Sequence, residues 1–83
     1  MKRISVAAVL LLTSLGRAQE AVTDLKGALQ IATARELQHS LRYELAEALI
    51  AAGKPAEALT QFKRVAAEDA AYRDVQDRIA ELE

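Results

Sequence analysis

Few side chains in this sequence have the types and spacing that catalysis or metal binding requires. His39 is the only histidine, and the chain has no cysteine with which it could share a metal ion. We therefore expect His39 to be a solvent-facing helical residue. The serines Ser5, Ser14 and Ser40 lie in no nucleophile motif, and no glycine-rich phosphate loop is present. The sequence predicts a protein that is not an enzyme and that holds no metal or cofactor.

Glu44 and Glu47 have the spacing of paired carboxylates, since residues three apart share one face of a helix. No histidine lies beside them in sequence, so a solvated acidic face is the simplest interpretation. Tyr43, Phe62 and Tyr72 are predicted to be packing residues, because surfaces that stack nucleic-acid bases also need an excess of basic neighbours. The formal net charge is −1. We expect neither a nucleic-acid partner nor a small-molecule substrate.

Composition indicates a small helical protein. The chain has 83 residues, which is one domain at most, and it is 52% hydrophobic but only 4% aromatic, with one proline and three glycines. Such an alanine- and leucine-rich composition is typical of helices and not of a β-sandwich. Charge is unevenly distributed: residues 1–35 contain five Lys/Arg and two acidic residues, whereas residues 36–83 contain six and ten. The C-terminal half is the acidic half.

The clearest structural signal is the segment Gly53-Lys54-Pro55. Glycine readily adopts the left-handed conformation that ends a helix, and proline suits the first turn of the next one. One helix therefore ends here and another begins. The apolar residues of the new helix recur at helical spacing and form one stripe. They are Ala58, Leu59, Phe62, Val65 and Ala66.

A similar stripe occurs 37 positions earlier in the chain. It comprises Ala21, Val22, Leu25, Ala28 and Leu29, and the same shift places Gly16 on Gly53. This correspondence predicts an internal duplication with a period in the range of helical solenoids. By analogy with Gly53, Gly16 is expected to end a first helix over residues 3–15, and a second helix is expected over residues 17–32.

Two further helices complete the prediction. Thr33-Ala34-Arg35-Glu36 has the pattern of a capping box and is expected to begin a third helix that runs to Gly53. Its apolar stripe contains Leu37, Leu41, Leu45, Ala48, Leu49 and Ala52. After a break at residues 68–71, Tyr72, Val75, Ile79 and Leu82 give a last stripe with charges between them. The whole chain is predicted to be all-α, with about five helices.

The N-terminus has two interpretations. Residues 1–18 have the basic start, the apolar core and the small residues at Gly16 and Ala18 that characterise a secretory signal peptide, which would leave residues 19–83 as an exported helical domain. Alternatively, they form the first helix of the repeat, and the protein is cytoplasmic. Cleavage would remove the helix against which Ala21, Val22 and Leu25 pack, which favours the intact helix.

The second half of the chain resembles a tetratricopeptide repeat. Residues 39–72 match the family's 34-residue unit at Leu45, Leu49, Gly53, Ala58 and Phe62, and Val65 is expected at a further core position of the repeat. Val65 and Ala70 replace the family's usual alanine and proline. Residues 2–35 match more weakly, and residues 73–83 resemble the start of another repeat used as a cap. The resemblance implies one domain over residues 1–83, a short α-solenoid of antiparallel helix hairpins.

In this family the inner helices line a groove that holds a segment of a partner protein. The resemblance therefore implies a non-catalytic protein-interaction module. The corresponding positions here are Ser40, Tyr43, Glu44, Glu47, Ile50 and Ala51. Because Glu44 and Glu47 repel acidic ligands, we expect a basic or apolar peptide and not an acidic C-terminal tail; alternatively, these glutamates only keep the surface soluble. The apolar residues 4–15 offer a surface for homo-oligomerisation. An exported assembly factor and a fragment of a longer solenoid are the competing interpretations.

Overall fold

Four helices make up the part of the chain that the structure describes. The computed structural model describes the backbone of residues 6–83 and the side chains of residues 15–83. The helices are α1 (Val6–Ile31), α2 (Arg35–Ala51), α3 (Pro55–Glu68) and α4 (Val75–Leu82), and residues 6–83 contain no strand. Helix α1 packs on α2, α2 on α3, and α3 on α4. This all-α chain of consecutive hairpins confirms the predicted fold class.

The turn predicted at Gly16 is wrong, because α1 is one continuous helix through that residue. The two helices expected on either side of Gly16 are therefore one, and the described residues form four helices where about five were expected. A glycine ends a helix when it takes a positive φ, and in residues 6–83 the only glycine that does so is Gly53. No proline lies within the few residues after Gly16, and Arg17, Ala18, Gln19 and Glu20 all favour helix.

The turn predicted at Gly53 is present in detail. Gly53 has φ +79°, and α3 begins two residues later at Pro55. The backbone N–H of Gly53 donates to Ile50 at 3.0 Å, and that of Lys54 donates to Leu49 at 2.8 Å. This pair of bonds is the Schellman arrangement, which satisfies carbonyls left free at a helix C-terminus.

Helix α2 begins without the predicted capping box. Its N-cap is Ala34, which has no side-chain capping bond, and the first helical residue is Arg35. The side chain of Gln38 instead reaches back and donates to the carbonyl of Ala32 at 2.8 Å, just beyond the end of α1. Leu37, expected in the apolar stripe, is 50% exposed. The α1–α2 connection is thus held by an amide side chain.

The core lies where α2, α3 and α4 meet and extends towards α1. The largest fully buried side chains are Phe62, Leu45, Leu49, Val22, Val65 and Val75. Tyr72, Ile79 and Leu82 of the last predicted stripe pack around this cluster. Helices α2 and α3 each pack against two neighbours, and the buried residues of α3 face α2 and α4. The surfaces on either side of α2 are positioned by this core.

Two threonines that correspond in the predicted duplication make the same local hydrogen bond. The Thr23 hydroxyl donates to the carbonyl of Gln19 at 3.2 Å, and Thr60, its counterpart, donates to Ala56 at 3.3 Å. The two helices differ in burial: Val22 is fully buried in α1, but Leu25 is only half-buried, whereas its counterpart Phe62 in α3 is fully buried. The two helices therefore share local structure, but α3 contributes more to the core.

Candidate functional site

Five of the six residues predicted to line a groove are accessible on α2. Glu44, Glu47 and Ala51 are exposed, and Ser40 and Ile50 are half-buried. Their spacing places them on one side of the helix. We call these five residues the groove face. Tyr43, the sixth predicted residue, is only 7% exposed and belongs to the core, so its assignment to the groove surface is corrected.

Helix α4 runs alongside the groove face and is parallel to α2. The Tyr43 hydroxyl hydrogen-bonds to the carboxylate of Asp74, and four residues further along each helix Glu47 Oε2 lies 3.6 Å from Arg78 Nη2. Because both contacts advance in the same direction by one helical turn, the two helices point the same way. Glu47 therefore forms an ion pair with Arg78, whereas Glu44 forms none of the ion pairs found in residues 15–83.

The bond to Asp74 explains why Tyr43 is buried. A buried hydroxyl needs a hydrogen-bond partner, and Asp74 lies just before the first residue of α4. Donation to the Asp74 carboxylate, together with burial of the ring, raises the pKa of Tyr43 to about 12. Tyr43 is accordingly a protonated structural donor.

Aromatic rings and guanidinium groups fill the space between α2 and α4. The ring of Tyr43 meets that of Phe62 edge to face, with centroids 5.2 Å apart. The Arg73 guanidinium lies 5.0 Å from the centroid of Tyr43 and 5.3 Å from that of Tyr72. The Arg78 guanidinium lies 5.5 Å from the centroid of Phe62. Such stacking is weakly attractive at exposed sites and fixes the position of both arginines beside the groove face.

His39 is not the exposed residue that the sequence suggested, since it is only 6% exposed. Its Nε2 lies 2.8 Å from Glu68 Oε2, and its ring meets Tyr72 edge to face at 5.6 Å. The hydrogen bond from His39 lowers the pKa of Glu68. This contact joins α2 to the last residue of α3, so His39 has a structural role that links two helices of one hairpin.

The arrangement of the described residues offers no set of catalytic groups. The His39–Glu68 pair is hydrogen-bonded to no serine or threonine hydroxyl in residues 15–83. The same residues contain no group of three or more His, Asp or Glu side chains close enough to hold a metal ion. Within the described residues, none of the helices combines the length and apolarity needed to cross a membrane.

A second concave surface lies on the opposite side of α2. It is a pocket of about 350 Å³ between α1 and α3, with α2 at its base. It is lined by Lys26, Leu29, Gln30, Arg42, Leu45, Gln61 and Arg64. At about 100° per residue, Arg42 and Leu45 point roughly half a turn away from Glu44 and Glu47. We call this surface the basic pocket; it is not apparent in the sequence, because its residues come from three helices.

These features are those of a short helical-repeat protein, in which consecutive antiparallel hairpins share one core and leave surfaces on both sides. The family model described as Tetratricopeptide repeat matches residues 12–82. That match covers most of the chain, and the chain belongs to the tetratricopeptide repeat family. Repeats of this family are in general protein-interaction modules without catalytic activity. No curated protein and no solved structure gave a significant match to the chain.

Proposed function

We propose that this chain is a non-catalytic module that binds a basic or apolar segment of a partner protein along the groove face. The observation that carries the proposal is the exposed carboxylate of Glu44, which has no ion-pair partner among residues 15–83. An incoming lysine or arginine supplies the missing positive charge. Half-buried Ile50 offers an apolar contact one to two turns further along the helix.

Glu47 extends the same acidic surface. Its contact with Arg78 is 3.6 Å long, and the Glu47 side chain is 49% exposed. An exposed ion pair of this kind contributes little to stability, about 0–1 kcal/mol, so a ligand cation can replace or join Arg78. A peptide with two basic residues about one helical turn apart therefore fits the spacing of Glu44 and Glu47.

The test measures fluorescence anisotropy of a fluorescein-labelled peptide with two lysines four residues apart and a leucine between them. We expect Glu44→Gln to weaken binding by about twofold to fivefold, because one exposed charge contact contributes up to about 1 kcal/mol. Glu57→Gln, an equivalent charge change at an exposed site on α3, serves as the control and leaves binding unchanged. Equal losses in both variants would show that only net charge matters and would refute the proposed surface.

We also propose that residues 1–18 are retained and that the protein is cytoplasmic. The burial of Ala18 at 9% exposure supports this proposal. The packing of a separate first helix on Ala21, Val22 and Leu25, which favoured retention in the sequence, does not contribute, because α1 continues through Gly16 without folding back. Mass spectrometry of the protein recovered from secretion-competent cells tests it. A product that retains residues 1–18 is expected, whereas a product beginning at Gln19 would favour an exported envelope protein. The homo-oligomer surface suggested for residues 4–15 lies outside the described side chains, apart from Leu15.

A further inference from the structure

The basic pocket is lined by cations that form no ion pair within the described residues, although the charge of Arg42 helps to lower the pKa of the Glu68 carboxylate, which lies outside the pocket lining. Lys26, Arg42 and Arg64 line it, and no aspartate or glutamate does. The ion pairs found in residues 15–83 are His39–Glu68, Lys63–Glu83 and Arg78–Glu47, none of which includes a lining residue. Three cations around one concavity repel each other unless an anion joins them.

The polar and apolar groups of the pocket are arranged to hold more than an isolated ion. The Gln61 amide oxygen accepts a hydrogen bond from Arg42 Nη1 at 3.4 Å, which places that guanidinium at the pocket. Leu45, 1% exposed, and half-buried Leu29 provide an apolar base. A volume of about 350 Å³ is large enough for a few side chains and too small for a folded surface.

We propose that the basic pocket binds an acidic segment of a partner protein, in which two carboxylates flank an apolar side chain. The carboxylates contact Arg42, Arg64 and Lys26, and the apolar side chain covers Leu29, which is half-buried. Arginine suits this role because its planar guanidinium can donate two parallel hydrogen bonds to one carboxylate. The expected exclusion of acidic tails concerned the groove face, which is on the other side of α2, so the two surfaces select ligands of opposite charge.

The experiment uses fluorescence anisotropy with a fluorescein-labelled peptide in which two glutamates flank a leucine. The reference probe has glutamines in place of both glutamates. The acidic peptide is expected to bind, and the glutamine peptide is expected to bind at least about tenfold more weakly, because two charge-assisted contacts are lost. Equal binding of the two peptides, or binding of neither, would overturn the proposal.

Variants on α3 locate the site with a matched control. Arg64→Gln removes a cation from the pocket, whereas Lys63→Gln removes the neighbouring cation, which is paired with Glu83 outside the pocket. We expect Arg64→Gln to weaken binding about fivefold to tenfold and Lys63→Gln to change it less than about twofold. Similar losses in the two variants would overturn the assignment. Both residues are exposed, so circular dichroism melting curves should match the parent.

Two further measurements exclude other occupants and separate this proposal from the groove face. Single-stranded DNA that competes more tightly than the acidic peptide would reassign the pocket to nucleic acid. If sedimentation shows that the chain self-associates and that Arg64→Gln abolishes this association, the occupant of the basic pocket would be reassigned to a second copy of the chain. Glu44→Gln is expected to leave binding of the acidic peptide unchanged, so failure of the groove proposal and failure of the pocket proposal give different results.

Discussion

Replacing Phe62 with alanine is expected to remove the central support of the core and of the groove face. Phe62 is 0% exposed and is the largest fully buried side chain in the described residues. Its ring contacts that of Tyr43 at 5.2 Å and lies under the Arg78 guanidinium at 5.5 Å. Truncation of a buried phenylalanine costs about 3–5 kcal/mol, because apolar contacts are lost and a cavity remains.

That loss is large relative to the stability of so small a domain. At about 0.05–0.15 kcal/mol per residue, a chain of this length has a free energy of unfolding of about 4–12 kcal/mol. Denaturant titration followed by far-ultraviolet circular dichroism measures the difference between the variant and the parent. Leu37→Ala, at a half-exposed position of α2, is the control and should cost less than about 1 kcal/mol. A Phe62→Ala protein that unfolds at the parent's denaturant concentration would refute the assignment of the core.

Further predictions concern single side chains and can be checked in the same unfolding assay. Tyr43→Phe should lower stability by about 1–3 kcal/mol, because it removes the hydrogen bond to Asp74. The pKa of Tyr43 is raised from 10.0 to about 12, so the stability that its protonated hydroxyl contributes is complete below pH 10 and is lost as the pH rises towards 12. The Tyr43→Phe variant should not show this loss of stability at alkaline pH. The pKa of Glu68 is lowered from 4.5, so the stability that its ionised carboxylate contributes is present above pH 4.5 and is lost as the pH falls below it. Glu68→Gln should therefore make the free energy of unfolding depend less on pH in the acid range. Gly27→Ala should stabilise α1 by about 0.5–1 kcal/mol, because Gly27 is an exposed helical residue with open space around its Cα. Gly53→Ala should destabilise by about 1 kcal/mol, because its φ of +79° is strained for alanine; the same sign for both glycine variants would contradict this reasoning.

The two glycine turns show which parts of the fold are predictable from sequence. At Gly53 the local signals agree: a glycine that can take positive φ is followed two residues later by a proline that starts a helix. At Gly16 only one of these signals is present, and good helix formers follow it, so the helix continues. The internal repeat suggested equivalence between the two positions, but an apolar pattern shared by two helices does not require that both are preceded by a turn.

Contacts between distant residues account for the burial of His39, which was expected to face solvent, and of Tyr43, which was predicted to be a packing residue but was also placed in the groove. His39 and Tyr43 have the spacing of surface residues on α2, yet both are buried. Their partners, Glu68 and Asp74, are 29 and 31 positions away in the chain. A polar residue is buried when a partner from another helix satisfies its hydrogen-bonding groups, and the sequence of α2 alone contains no information about that partner.

The same reasoning explains why the distribution of charge along the sequence did not reveal the basic pocket. Counting charges along the chain assigned Arg42 and Arg64 to the acidic C-terminal half, in which acidic residues outnumber basic ones by ten to six. Folding brings these two arginines together with Lys26 from the basic half, on the side of α2 that faces away from Glu44 and Glu47. Charge is therefore divided around one helix and not between two halves of the sequence. A net charge of −1 excludes a strong long-range field but leaves room for a locally positive site, because interactions between exposed charges are screened over about 8–10 Å.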